Sequence, residues 1–283
     1  MSEWLRVNKV EPCKICQHGD WCCVTSDGTL ANCMRIESGR LCKNGGWLHK
    51  LDGSVKPPLP PKRQKPAAPP KDFFKLFSRY SNNLTNTKEG QSIERSFKEV
   101  LGVSTYSLWR LGVGFDGKNL TFPMWNTTGF AIGIRLRTPE GRKFSVTGSK
   151  SGLFLPLYVS EEAGTALFVC EGPTDCAALL DLGFDAIGRP SCSGGTEFIK
   201  AFLLGQNREV VIMADRDAPK TAPDGRQFNP GLDGADRLGK AIKPLCRSVR
   251  VIKPPVGKDI REWYNKGATA AAVLAVVKNT RFL

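Results

Sequence analysis

TALFVCEGPTD at 165–175 and EVVIMADRD at 209–217 decide the reading of this chain, because each runs an apolar segment straight into an acid. Near-continuous apolar runs of this length mark strands buried on both faces, as in a parallel sheet. The neighbouring segments agree. TDCAALLDLG at 174–183 is patterned as a helix, DAIGRP at 185–190 as a strand and TEFIKAFLLG at 196–205 as a helix. Past the second apolar run come a helix in GADRLGKAIKPL at 234–245 and a strand in SVRVIKPP at 248–255. Strands alternating with helices predict a mostly parallel sheet covered on both faces.

Open parallel sheets bind ligands beyond the carboxyl ends of their strands. Glu171 and Asp215 stand at two such ends. Asp217, two residues on, shares a face with Asp215 if the chain stays extended. Carboxylates about 4 Å apart repel by roughly 4 kcal/mol at an effective dielectric near 20, which a proton, a base or a metal relieves. All-oxygen donors favour Mg²⁺ or Mn²⁺. D-R-D alone also reads as a solvated loop with Arg216 as counter-charge. E-G-P-T-D strengthens the metal reading. Gly172 lets the backbone turn sharply, Pro173 suits a first helical turn, and Asp175 is either a further acid of the site or a helix cap.

Glu171-Gly172 with Asp175, then Asp215-x-Asp217 after a second apolar strand, resembles the TOPRIM domain shared by DnaG-type primases, topoisomerases and some nucleases. PPVGKDIREWYNKGA at 254–268 is similar to the segment near the end of the primase version and supplies Lys258 and Asp259. Upstream, LGVSTYSLWRLGVGFDGKNLTFPMWNTTGFAIGIRLRTPEGRKFSV at 101–146 resembles the part of DnaG-type primases that precedes TOPRIM, an arrangement topoisomerases lack. The likeness implies an α/β TOPRIM-like core joined to an α+β primase-type subdomain. It implies Glu171, Asp215 and Asp217 as catalytic acids holding Mg²⁺ or Mn²⁺, with Asp175 and Asp259 as auxiliary acids. Lys143, Arg142, Arg135, Arg137 and Lys258 are then cations for template or nucleotide phosphates. Read without the likeness, the hairpin cations are exposed strand residues. The activity implied is synthesis of short RNA primers from NTPs on a single-stranded DNA template. A TOPRIM nuclease and a non-catalytic nucleic-acid-binding protein are the alternatives. No G-x-x-x-x-G-K-[ST] occurs, so a separate replicative helicase is implied as a partner. The segment 218–234 exceeds a simple strand-to-helix turn and reads as a mobile loop, with Asp224 or Asp233 as outside candidates for the metal site.

Six of the ten cysteines lie between Cys13 and Cys42. Cys13-x-x-Cys16 followed by Cys22, Cys23 and Cys33 has the short spacing of a structural zinc site. A redox C-x-x-C needs a βαβ context that this segment lacks. Cys13, Cys16 and Cys33 lead the candidates. Cys22 and Cys23 compete for the fourth place, with His18, Cys42 and His49 as outsiders. The order resembles the zinc-ribbon heads of phage and bacterial primase-like proteins, and that likeness favours Cys22. Asp27-Gly28 suits a hairpin turn. Trp21, Arg35 and Trp47 are placed to meet unpaired bases, or the two tryptophans complete a small core.

Further out, KPPLPPKRQKPAAPPK at 56–71 holds seven prolines and five basic residues, an extended spacer. The expected division is a zinc-binding ribbon at 1–53, a linker at 54–71, a primase-type subdomain at 72–163, and TOPRIM with a C-terminal helix at 164–283. Within the third, SIERSFKEVLG at 92–102 and Ser104–Leu111 read as helices. LTFPMW and FAIGIRLR read as strands around a turn at Asn126–Gly129. The chain has 283 residues, 41% of them hydrophobic, and a formal charge of +14, which favours a polyanionic partner. No apolar stretch approaches the ~20 residues of a membrane span, and the start lacks the apolar core of a signal peptide, so the expected location is cytoplasmic.

Overall fold

The computed structural model describes residues 3–43, 45–51, 71–159, 165–222 and 225–283. Two compact units divide between Pro69 and Pro70. The predicted linker lies outside the described residues except for Lys71.

The first unit is an antiparallel sheet of β1 (Trp4–Arg6), β2 (Cys23–Thr25), β3 (Leu30–Cys33) and β4 (Trp47–Lys50), paired in that order. The β2–β3 turn forms at Asp27-Gly28. Gly28 adopts φ +70, and Asp27 accepts from Thr25 Oγ1 at 2.6 Å and Thr29 N at 3.0 Å. Few large apolar side chains lie within. Buried Cys13, Cys22 and Cys33 form the centre, with Val7, Ile15, Cys16 and Met34 around them.

The second unit opens with four helices, α1 (Phe73–Asn86), α2 (Lys88–Arg95), α3 (Phe97–Leu101) and α4 (Thr105–Arg110). The sequence reading passed over α1, and it expected one helix where α2 and α3 break at Ser96. An antiparallel sheet follows, β5 (Gly114–Phe115), β6 (Leu120–Trp125), β7 (Ala131–Arg137) and β8 (Lys143–Ser145). Strand alternation sorts its side chains. Ile134 and Leu136 pack against Phe73 and Tyr80 of α1, while Leu120, Phe122 and Met124 join the main core.

The remainder alternates as expected: β9 (Leu167–Glu171), α5 (Gly172–Asp181), β10 (Asp185–Arg189), α6 (Thr196–Leu203), β11 (Glu209–Met213), a hairpin of β12 (Lys220–Thr221) and β13 (Gln227–Phe228), α7 (Pro230–Ile242), β14 (Ser248–Ile252), α8 (Ile260–Asn265) and α9 (Ala270–Asn279). The sheet order is β10-β9-β11-β14, all parallel. Leu167, Val169, Val210 and Ile212 face α6 and α7, whereas Phe168, Cys170, Val211 and Met213 face α5, α8 and α9. The latter core runs without a break into Phe97, Leu108 and Phe122 of the preceding half. The expectation of a loop at 218–234 is corrected. The hairpin and the first turn of α7 occupy it, because Asn229 and Pro230 start the helix four residues early.

Two devices join the halves of this unit. The buried dipeptide Leu153-Phe154 exchanges paired backbone hydrogen bonds with Trp125 of β6 on one side and Gly188 of β10 on the other, at 2.8–2.9 Å. Asp181, closing α5, accepts from Ser104 N at 2.7 Å, from Ser107 Oγ at 2.6 Å and from Ser104 Oγ. No helix among the described residues is long and apolar enough to cross a membrane.

Removing the Asp181 carboxylate strands several partly buried donors, each costing about 1–3 kcal/mol. Asp181→Ala should therefore lower the urea midpoint of the second unit markedly. An unchanged midpoint would show that α4 docks by its apolar face alone.

Candidate active site and cysteine centre

β9 ends at Glu171, which is also the N-cap residue of α5, and Gly172 at φ +74 makes the turn possible. Ala214 N donates to Ile252 O at 2.8 Å, so β11 stays paired up to Asp215. Arg216 N then bonds Lys258 O at 2.7 Å, and Lys258 Nζ reaches Asp217 Oδ1 at 3.2 Å. The D-R-D and GKD segments thus hold each other. Asp259 caps α8 by accepting from Glu262 N at 2.7 Å. Asp175 is no cap. It lies inside the first turn of α5, 6% exposed, and its Oδ1 has no hydrogen-bond partner among the described residues.

α7 comes in close beside these ends. A Cβ on Gly231 would sit 2.5 Å from Asp215 O, so only glycine fits there. Asn229 Nδ2 donates to Asp217 O at 2.7 Å. Asp233 accepts from Asn229 N at 3.1 Å, so its carboxylate serves the helix start rather than a metal. Asp224 lies outside the described residues.

Electrostatics bind the five acids into one cluster. Burial, with Glu171, Asp259 and Asp217 nearby, pushes Asp215 up to about 7. Burial, Asp259 and Asp215 push Asp175 well above the carboxylate range, against the pull of Lys143 and Arg261. Burial raises Glu171 too, opposed first by Arg189. Among the described residues the acids do not form a preformed cage; only the four cysteines bring three or more ligand atoms within 4.8 Å. The donor set is nonetheless all oxygen. Asp175's orphaned atom and Asp215's raised pKa fit a hard divalent cation that keeps some of its water.

In the first unit Cys13, Cys16, Cys22 and Cys33 converge, with Cys16 and Cys22 sulfurs 3.7 Å apart. Tetrahedral zinc with bonds of about 2.3 Å separates thiolates by about 3.8 Å, so the set fits. Met34 N points at Cys22 Sγ (3.4 Å) and Ile36 N at Cys33 Sγ (3.3 Å). Cys23 and Cys42 stand outside the cluster. His18 and His49 have ring nitrogens against backbone carbonyls of Cys16 and Ile36. Trp21 is 72% exposed and completes no core.

No family model matches the sequence, and no curated protein matches it. Solved structures do. A DnaG primase catalytic domain bound to ssDNA aligns at 17% identity over 74% of this chain and 77% of that one, with a TM-score of 0.57. The Escherichia coli primase catalytic core aligns at 17% identity over 74% and 79%, with a TM-score of 0.54. The zinc-binding and RNA polymerase domains of Aquifex aeolicus primase align at 13% identity over 75% and 60%, with a TM-score of 0.55. The fold is that of a DnaG-type primase catalytic core.

Within this primase-type core, Arg135 and Arg137 are half-buried, not the exposed strand residues that composition suggests. They alternate with Ile134 and Leu136 and so face away from α1. Burial and Arg261 lower the Arg137 pKa while Asp175 and Asp259 raise it, so this guanidinium is within electrostatic reach of those two acids. Lys143 pairs in register with Arg137 and tempers Asp175. Arg135 lies further back, against Met124 Sδ at 4.0 Å. Arg142 is exposed in the β7–β8 turn, and no contact among the described residues brings it to the acids.

Sequence reasoning missed Arg189, 1% exposed at the end of β10. It donates to Cys192 O at 2.9 Å, Gly234 O at 3.2 Å and Glu171 Oε1 at 3.3 Å. The signal was present, since DAIGR ends in a charge just as the runs leading to Glu171 and Asp215 do. Arg261, bonded to Leu101 O at 3.0 Å, was also missed.

Two outcomes follow. Cys22→Ser should lose bound zinc by elemental analysis while Cys23→Ser keeps it; equal zinc in both variants would exclude Cys22 as a ligand. Because the folded pKa of Asp215 lies above its unfolded value, the folded state binds the extra proton between about pH 4 and pH 7. In magnesium-free buffer, stability should fall as pH rises through that window. Asp215→Asn should flatten the fall, and an equal slope in both proteins would contradict the burial of Asp215.

Proposed function

We propose that this chain is a DNA-directed nucleotidyltransferase of the primase type, making short RNA primers from NTPs on single-stranded DNA. One observation carries the reading. Five acids gather at the ends of parallel strands in a primase-type core, and the cations Arg137 and Lys143 of the antiparallel half reach the same cluster. The ssDNA-bound DnaG domain supports single-stranded DNA as the template.

Glu171, Asp215 and Asp217 would hold Mg²⁺ or Mn²⁺, with Asp175 and Asp259 as auxiliary acids behind them. When bound, such ions neutralise triphosphate charge and activate an attacking hydroxyl. The chain's own groups orient the reactants. Lys258 restrains Asp217, and Arg189 holds Glu171 through Oε1. Arg137 and Lys143 offer cationic donors to phosphate oxygens on the side facing the antiparallel sheet. Cys13, Cys16, Cys22 and Cys33 would hold structural zinc, giving the head a rigid frame from which exposed Trp21 can meet template bases.

Labelled single-stranded DNA incubated with NTPs and magnesium should yield extended products. Asp215→Asn or Asp217→Asn should cut incorporation by ~1000-fold, a loss of about 4 kcal/mol of transition-state stabilisation, with the fold intact. Full activity in either variant sinks the assignment. Shortened DNA in place of extended products would turn the reading to a nuclease.

A further inference from the structure

The second unit carries a basic groove that the acid cluster does not use. It encloses about 890 Å³, with Lys71, Lys75, Leu76, Arg79, Asn82 and Val146 among its walls. Lys75 and Arg79 lie one turn apart on α1, and Lys71 stands just ahead of the Asp72 N-cap. All three cations are exposed. None has an acid within 4.0 Å among the described residues. The acid in the wall, Asp72, is committed to α1, accepting from Lys75 N at 2.9 Å.

The groove and the acids lie on opposite faces of the antiparallel sheet. α1 covers the face carrying Ile134 and Leu136, and Arg137 reaches the acids from the other. The groove is therefore separate from the cleft in which nucleotides would react. From Lys71 to Asn82 the helix rise gives about 16 Å, room for a few nucleotides. Four further basic residues, Lys56, Lys62, Arg63 and Lys65, precede Lys71 in the sequence, so the stripe continues a cationic run.

We propose that this groove binds the sugar-phosphate backbone of single-stranded DNA at a second site, outside the acid cleft, an inference that rests on the nucleic-acid reading of the acid cluster. The two lysines act as point charges and Arg79 as a two-pronged donor to phosphates. The Asn82 amide adds a neutral hydrogen-bonding group. Leu76, Val146 and Tyr80 complete the walls. Tyr80 is buried with Arg79 over its ring at 5.1 Å, so it offers no open face for stacking and binding is independent of base sequence. The site steadies template that has left the reacting cleft.

The test compares the full wild-type chain with the Lys71→Gln/Lys75→Gln/Arg79→Gln variant, by fluorescence anisotropy with labelled oligo-dT across a salt series. Three lost phosphate contacts should reduce the slope of log affinity against log salt by about 2, and weaken binding ~10-fold or more at low salt. Near-UV circular dichroism should be unchanged. Incorporation at saturating template should keep its kcat, with a raised KM for template. Equal affinity and slope in the two proteins would overturn the groove while leaving the primase reading standing. A wild-type chain that binds no single-stranded DNA would overturn both.

Discussion

An ionised carboxylate removed from water must find a proton or a cation, and at the strand ends of this protein several such groups share one small volume. Much of the surrounding architecture answers that constraint. Arg189 comes up beneath Glu171 from the neighbouring strand, and Lys258 reaches Asp217 from the loop after β14. Arg137, Lys143 and Arg261 approach Asp175 from the opposite side. A cation 6 Å from a carboxylate contributes roughly 3 kcal/mol at an effective dielectric near 20, enough to hold the fold together yet too little to leave Asp215 an ordinary acid. Burial and mutual repulsion, which raise Asp215, are what make the cluster receptive to a divalent ion.

The first unit meets a different shortage. It has a sheet of short strands and few apolar side chains to bury between them, so sulfur takes the place of hydrocarbon at its centre. Four thiols converge where a larger unit would pack leucines, and metal ligation is a far stronger staple than the burial of four small side chains. Local backbone geometry serves the same end. Gln17 and Trp21, both in the left-handed region, bend the chain around Cys16 and Cys22.

Where the sequence was legible, periodicity and chemistry agreed. The runs ending in Glu171 and Asp215 could be placed because a buried parallel strand has no polar alternation to obscure it. The D-R-D and GKD segments each read as functional, and the structure pairs them through Lys258. Asp175 was ambiguous because an acid in a first helical turn suits both a cap and a site; only its burial and orphaned oxygen separate the two. Arg189 escaped because two of its three partners, Glu171 and the Gly234 carbonyl, lie 18 and 45 residues away along the chain; the terminal charge of DAIGR marks the residue but not those partners. The segment 218–234 read as loop because it is longer than a simple strand-to-helix turn, yet Pro230 opens α7 and Gly231 lets that helix touch Asp215.

Leu153-Phe154 links the antiparallel sheet to the parallel one by hydrogen bonds to both. Both residues are buried, so parting the sheets would leave backbone groups without partners and without water. Jaw-like opening about this seam is therefore costly, and the strand that carries Arg137 keeps a fixed station relative to the acid-bearing strands.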